Sequence, residues 1–142
     1  MRLLIFDLQP PPLESGGLAA AVQALLMAFE GRDGLRTEFR IEGDRPLPMA
    51  VETELYWIAH EALVNVRKHA AARHVLVHLR LTATTVSLEV QDDGVGFDPQ
   101  VVPAERRGGL RIIAERTERI SGEMTYESAP GQGTRMEIDV VL

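Results

Sequence analysis

The amino-acid sequence predicts an α+β domain, a two-layer sandwich in which helices pack on one face of a mixed, mostly antiparallel sheet. Segments with helical spacing of apolar residues interrupt segments of strict apolar–polar alternation, in the order helix, strand, helix, hairpin, helix, hairpin. Repeated strand–helix–strand units are missing, and the glycines at 94 and 96 follow a strand without opening a helix. These two observations exclude a doubly wound dinucleotide-binding fold.

The first helix and strand are predicted from residues 17–42. A helix is expected over about 17–31, with Ser15 as its cap and Gly31 as its stop. From 35 to 42, apolar and charged residues alternate, which predicts a half-buried strand with a charged outer face. The apolar stripe of the helix consists of Leu18, Val22, Leu25, Leu26 and Phe29.

The central elements are a long helix over about residues 49–70 and a hairpin. The helix buries a stripe at helical spacing. Strands at 75–81 and 86–90 alternate in the same way as the first strand, and the second of them ends at Asp92. The helical stripe consists of Leu55, Ile58, Ala59, Ala62, Leu63 and Val66.

The last part of the chain is predicted to hold a lid, a helix and a hairpin. Residues 97–109 are polar, contain proline and end in glycine, which is typical of a long loop that is either disordered or a lid. A helix follows from Leu110 to Ile120, and strands at 124–126 and 136–140 close the domain. Trp57 and the methionines are expected to fill the core.

Composition narrows the classes of function. The 142 residues fit one domain. A net charge of −6 without a long basic block does not favour nucleic-acid binding. No apolar run approaches the roughly 20 residues that a membrane span needs, so no membrane contact is expected of this fragment. Without cysteine there are no disulfides, and we expect a cytoplasmic domain, although the whole protein can be anchored in a membrane elsewhere.

Glu61 and Asn65 form the first candidate site. Residues four apart stack on one face of a helix. A carboxylate and an amide oxygen together suit Mg²⁺, which prefers hard oxygen ligands and keeps several waters. The alternative is an ordinary solvated helix face.

Three glycine motifs form the second candidate site. Asp92 precedes Gly94 and Gly96, and a carboxylate there can accept from the exocyclic amino group of adenine while bare backbone passes close to the ligand. Gly131, Gly133 and Thr134 follow at the last turn. Arg107, Gly108, Gly109 and Leu110 stand at the predicted entry to a helix, where a glycine-rich segment presents unpaired amides and the positive end of the helix dipole to phosphates. The alternatives are turn-capping for Asp92 and a plain hairpin turn for residues 130–134.

Taken together, these motifs resemble the ATP-binding domain of sensor histidine kinases, within the wider family that includes Hsp90, gyrase and MutL. Residues 60–70 are similar to its N box. The resemblance implies a Bergerat-type fold, a Mg²⁺ ligand at Asn65, and Glu61 as the base or polariser of phosphoryl transfer. The ATP-binding positions that it implies are Asn65, Lys68, His69, Asp92, Gly94, Gly96, Gly108, Gly109, Leu110, Gly133 and Thr134.

The sequence departs from the family pattern in two places. Asp93 stands where asparagine is common, and Arg106 and Arg107 stand where an earlier glycine and a polar residue are often found. His60 lies inside the N box, so it is not expected to be the phosphoacceptor.

Segments at 1–10, 13–18, 115–117 and 128–134 resemble the histidine kinases partnered with NarL-type regulators. This implies that residues 1–12 are the end of a dimerisation helix with a linker, and that 13–142 are the catalytic domain. The expected cofactors are ATP and Mg²⁺, and the expected partners are the dimerisation domain that bears the phosphoacceptor histidine and, downstream, a response regulator. Two alternatives stay open: a serine kinase of the anti-sigma-factor type, and a nucleotide-binding interaction module without catalysis.

Overall fold

The computed structural model describes residues 16–142, without the side chains of Arg32 and Asp33, and has two layers. One layer is a five-stranded sheet in the order β1-β2-β3-β5-β4. Strands β1 and β2 are parallel, and every other neighbouring pair is antiparallel. This confirms the predicted fold class. The strands are β1 Arg36–Glu42, β2 His74–Leu81, β3 Thr85–Asp92, β4 Glu123–Ser128 and β5 Thr134–Val141.

The second layer consists of three helices on one face of the sheet. They are α1 Gly17–Asp33, α2 Met49–Asn65 and α3 Ala104–Arg119. The inner face of the sheet is apolar at every second residue of β2, β3 and β5, as the pleat requires. The core between the layers includes the fully buried side chains Leu55, Ile58, Leu63, Leu79, Leu88, Ile113 and Ile138.

Helix α1 runs past its predicted stop. It continues through Gly31 and ends at Asp33, because Gly34 adopts a left-handed conformation (φ 68°) and donates its N–H to the carbonyl of Glu30 at 3.1 Å. A glycine inside a helix is tolerated, so the first glycine was the wrong choice. The predicted cap, Ser15, lies outside the described residues. Gly16 stands at the N-cap position, and the Glu52 carboxylate accepts the N–H of Leu18 in the first turn at 3.2 Å.

The predicted long helix over 49–70 is divided into two parts. Its α-helical part ends at Asn65, and a π-helical turn, Val66–Ala70, continues the chain to Ala71, which adopts a left-handed conformation (φ 52°). π-Helical turns are rare and often occur at functional sites. This one places residues 66–70 beside the loop that follows Asp92, since Val95 donates its N–H to Ala70 at 2.7 Å.

The predicted lid is the largest correction. Of the predicted lid at 97–109, only residues 97–103 form a loop. Helix α3 begins at Ala104, six residues before the predicted start at Leu110. Pro103 precedes the first turn, which carries Glu105, and alanine, glutamate and arginine are strong helix formers. Gly108 and Gly109 therefore lie within the helix and do not form its entry.

The prediction for the methionines was partly wrong, because Met27 is 66% and Met49 61% exposed, whereas Met136 is buried. Trp57 is half-buried against the core, as expected. Among the described residues, no helix is long and apolar enough to cross a membrane.

The outer face of the sheet carries charged residues, as the alternation in β1 predicted. Glu89 lies there and is only 8% exposed. Arg135 compensates its charge with a hydrogen bond of 2.6 Å from Nε to Oε2, and this bond is the main reason that the pKa of Arg135 is raised. Burial without such a partner would be costly.

Candidate functional site

A small cavity lies between α2, α3 and the inner face of the sheet. Its volume is about 40 Å³. The polar groups in its wall are Asn65, Asp92, Arg106 and Thr134. The apolar remainder is Ala62, Val66, Val90, Phe97, Leu110, Ile113, Tyr126 and Met136. A mostly apolar pocket with a few convergent polar groups is typical of a small-molecule site.

Asp92 is the last residue of β3 and lies opposite Thr134, the first residue of β5. Its Oδ1 accepts the N–H of Gly94 at 2.8 Å. Burial raises the pKa of Asp92, and the Gly94 N–H and the charge of Arg106 partly offset this rise. The Gly94 bond is the turn-capping role that was the alternative for this residue. It engages Oδ1, and Asp92 also lines the cavity, so the two roles are compatible.

The glycines at 94, 96 and 133 bring backbone segments together. A side chain at Gly94 would collide with the Ala70 carbonyl, one at Gly96 with the Ala129 carbonyl, and one at Gly133 with the Asp92 carbonyl. Gly96 and Gly133 also have positive φ angles, 65° and 73°. Their direct effect is to pack three loops around Asp92, which fixes the position of its carboxylate.

Ser128, at the end of β4, connects these loops through its hydroxyl. The Ser128 Oγ accepts the N–H of Phe97 at 2.8 Å and donates to the carbonyl of Gly133 at 2.9 Å. The Thr134 hydroxyl lies 2.9 Å from the same oxygen. Ser128 was part of a recognised motif but was given no role, because its partners are distant in sequence.

Asn65 and Glu61 lie one turn apart on α2, as predicted. Asn65 lines the cavity, and Glu61 is half-exposed. No group of three or more His, Cys, Asp or Glu among residues 16–142 is placed to hold a metal ion. One amide and one carboxylate fit Mg²⁺ only where phosphates and water supply the remaining oxygens, which is the way Mg²⁺ is commonly bound with nucleotides.

Lys68 and His69 lie on the π-helical turn, and Lys68 is exposed while His69 is half-buried. Neither residue lines the cavity. His60, in contrast, packs between Phe29 and Trp57, with ring centroids 6.5 and 5.5 Å away. Burial lowers the pKa of His60. These contacts give it a packing role between α1 and α2.

The glycine motif at residues 107–110 lies within α3 and contacts the site from there. A Cβ at Gly109 would lie 2.5 Å from Oδ1 of Asn65, whereas a Cβ at Gly108 would meet nothing within 4 Å. Leu110 lines the cavity. Because these residues are helical, their amides bond within α3, and the predicted presentation of unpaired amides by Gly108 and Gly109 does not occur in this conformation.

Arg106 is the main functional candidate that the sequence prediction missed. It is 6% exposed, and its guanidinium carbon lies 4.9 Å from the centroid of the Phe97 ring. Burial lowers its pKa, and the charge of Asp92 opposes that change. The signal available in the sequence was its departure from the family pattern.

Asp93 has a structural task that explains its carboxylate. Its Oδ1 accepts the N–H groups of Arg73 and His74, both at 2.9 Å, and its Oδ2 lies 2.8 Å from His74 Nδ1. Hydrogen bonds from His74 lower the pKa of Asp93 to about 2. The residue anchors the start of β2 to the Asp92 loop.

A larger groove, of about 500 Å³, lies on the outer face of the sheet. Arg36, Glu38, His74, Leu76 and Gln91 line it and alternate with core residues, so they point away from the helices. Asp92 and Asp93 also line this groove, but Asn65, Arg106 and Thr134 do not. The chemistry therefore points to the small cavity despite its size.

Comparison with known proteins indicates the family that the chain resembles. Residues 50–142 match the model of the family described as histidine kinase-, DNA gyrase B- and HSP90-like ATPases. The whole chain aligns at 37% identity with an uncharacterized sensor-like histidine kinase of Chloroflexus aurantiacus and covers 25% of its length. It aligns at 35% identity with the sensor histidine kinase LiaS of Bacillus subtilis and covers 39% of its length. It aligns at 32% identity with the signal transduction histidine-protein kinase/phosphatase DegS of Brevibacillus brevis and covers 37% of its length. The chain thus spans between a quarter and two fifths of these relatives.

Solved structures support the fold. The blue-light activated histidine kinase of Erythrobacter litoralis superposes with a TM-score of 0.67 at 22% identity, over 87% of this chain and 40% of that one. The mycobacterial sensor histidine kinase MprB gives a TM-score of 0.64 at 19% identity, over 85% and 91%. The family predicted from the motifs is confirmed, and the subfamily partnered with NarL-type regulators stays a prediction.

Proposed function

Because the chain belongs to the family of histidine kinase-, DNA gyrase B- and HSP90-like ATPases, as the ATP-binding catalytic domain of a sensor histidine kinase, we propose that it binds ATP·Mg²⁺ and donates the γ-phosphoryl group to a histidine on a separate dimerisation domain. A response regulator then receives the group. Catalysis of this kind depends on positioning and charge neutralisation.

One observation carries the proposal: a half-buried carboxylate, Asp92, lines a mostly apolar cavity that Asn65 also lines. A carboxylate there accepts from the amino group of adenine and disfavours guanine, which has a carbonyl at that position. Apolar side chains such as Val90 and Met136 provide the surface on which the base lies. The phosphates then extend toward Asn65.

We assign Asn65 as the protein ligand of Mg²⁺, which would neutralise the phosphates when bound. Glu61, on the same helical face, is assigned as the group that orients or deprotonates the incoming histidine nitrogen. Lys68 and His69 follow on the π-helical turn, and we assign them as residues that approach the phosphates. We also propose a cytoplasmic location for this domain.

The domain boundary at residue 13 is also a proposal. Leu18, Val22 and Phe29 of α1 are buried in the same core as α2, which supports counting α1 as part of the catalytic domain. A serine kinase of the anti-sigma-factor type would share the fold, but the relatives at 32–37% identity are named histidine kinases. A nucleotide-binding module without catalysis is the remaining alternative. Transfer of the γ-phosphoryl group to an added dimerisation domain would distinguish a kinase from such a module.

Titration calorimetry tests the assignment. We expect ATP to bind in the presence of Mg²⁺ and GTP to bind at least tenfold more weakly, because the Asp92 carboxylate would face a carbonyl. Asn65→Ala should keep the fold, since Asn65 is not part of the apolar stripe, and should lose the gain in ATP affinity that Mg²⁺ provides. Equal Mg²⁺ dependence in the parent and in Asn65→Ala would refute the metal assignment.

A further inference from the structure

Arg106 lies in the space where a base would enter the site. Its guanidinium faces the ring of Phe97, which is itself 4% exposed and packs against Tyr126 with ring centroids 5.9 Å apart. A guanidinium is planar and carries several N–H donors. The Arg106 guanidinium therefore resembles an adenine in two respects. It has a flat face to lie against Phe97, and it has N–H donors for Asp92, as adenine has in its amino group.

This position of Arg106 is incompletely satisfied. Its Nη2 is the buried side-chain nitrogen that finds no hydrogen-bond partner among the described residues. The charges of Arg106 and Asp92 influence each other, but the two side chains do not form an ion pair within the described part of the chain. Burying a polar group without a partner is unfavourable. The arrangement is consequently one that a competing ligand can displace.

The same helix also touches the metal side of the site. Gly109 packs so closely on Asn65 that a Cβ would lie 2.5 Å from Oδ1 and 2.6 Å from Nδ2. The first two turns of α3 thus contact both Asp92's neighbourhood and Asn65. The remaining cavity of about 40 Å³ is far below the roughly 300 Å³ at which ligand pockets begin.

We propose that the first turns of α3 act as a latch on the base pocket: Arg106 takes the place of adenine, and ATP binds only after Arg106 has left Phe97. The inference rests on the proposed function and adds a conformational step to it. Gly108 and Gly109 are the point at which the latch opens, because two adjacent glycines make this the weakest stretch of α3. The helix unwinds from Ala104 to Gly109 as the nucleotide enters.

The latch is tested by measuring ADP binding to the parent, to Arg106→Ala and to Arg107→Ala. Calorimetry gives the affinity, and stopped-flow fluorescence with a labelled ADP gives the association rate. Arg107→Ala is the matched control because it removes the same charge from the same turn, but Arg107 is exposed and its Nε donates to the Val102 carbonyl at 3.1 Å. Circular dichroism establishes that each variant is folded.

We expect Arg106→Ala to bind ADP about tenfold more tightly and to associate faster, with Arg107→Ala within twofold of the parent. If the parent binds ADP and Arg106→Ala binds it equally well or more weakly, the latch is overturned and the proposed function stays intact. Absence of ADP binding in the parent and in both variants would instead overturn the proposed function, and the latch with it.

Two measurements do not depend on the Arg106 variant. Gly108→Ala meets no neighbour and strengthens the helix, so ADP affinity should fall about two- to fivefold if α3 must unwind. Hydrogen exchange of the parent should show amides 108–113, which donate to the carbonyls of 104–109 in the helix, protected without nucleotide and faster with ADP. Protection that stays equal or increases with ADP, or ADP affinity that does not fall in Gly108→Ala, would contradict the latch.

Discussion

Asp92 carries the base specificity in this account, and a single change tests it. Asp92→Asn keeps the size of the side chain but presents an amide donor where a pure acceptor faces the adenine amino group. An unmatched buried polar group costs about 1–3 kcal/mol, so ADP affinity should fall about tenfold or more. Calorimetry on the variant, checked for an unchanged circular dichroism spectrum, measures this. An affinity equal to the parent's would reduce Asp92 to a turn residue.

Asp93 makes a prediction about pH. Its pKa in the folded protein is about 2, below its ordinary value of 3.8, so the Asp93 carboxylate contributes stability above its unfolded pKa and loses that contribution as pH falls through the folded value. Asp93→Asn can keep an acceptor for the N–H groups of Arg73 and His74 but not the charge. Thermal unfolding should show the parent more stable than the variant at about pH 5, with the gap closing toward about pH 2. A gap of constant size would contradict this.

At the scale of elements, the site depends on how two loops and a hairpin are held together. Ser128→Ala removes the acceptor of the Phe97 N–H and the donor to Gly133, and both backbone groups lie next to the cavity. We expect the free energy of unfolding to fall by about 1–3 kcal/mol and ADP binding to weaken, because the Phe97 wall is no longer fixed.

Ser87→Ala is the matched control for Ser128. Ser87 lies on the outer face of the same sheet and donates to Asp139 Oδ1 at 2.6 Å. Chemical denaturation should show a loss of stability for both variants, and calorimetry a loss of ADP affinity for Ser128→Ala alone. If both serines affect ADP binding equally, the Ser128 hydroxyl has no special part in shaping the pocket.

The elements also show what sequence could predict. Strands β1 to β5 and the class of fold followed from alternation, since a pleated strand buries every second residue. The beginning of α3 did not follow, because two glycines and a proline concealed a helix that its alanine, glutamate and arginine favour. Asp92 and Asn65 were predicted from their motifs, and both line the candidate cavity. The contacts of Arg106 and Ser128 join distant segments, and only the fold reveals them.

For the whole molecule, the central claim is that this domain supplies the phosphoryl group and another domain supplies the acceptor. None of its four histidines has the predicted context of a phosphoacceptor, and His60 packs between aromatic rings. Transfer requires the acceptor nitrogen to be held in line with the γ-phosphate, which is the contribution of a second domain. An isolated chain should therefore bind ATP without labelling itself.

Incubation with γ-labelled ATP and Mg²⁺ tests that claim most directly, with the chain alone and with the dimerisation domain of the same kinase added. Phosphohistidine is recognised because it is labile in acid and stable in alkali. The account predicts such label on the added domain only, and loss of it when Glu61→Gln replaces the parent. Alkali-stable label on this chain alone, or none on the added domain while ATP binds normally, would contradict the account.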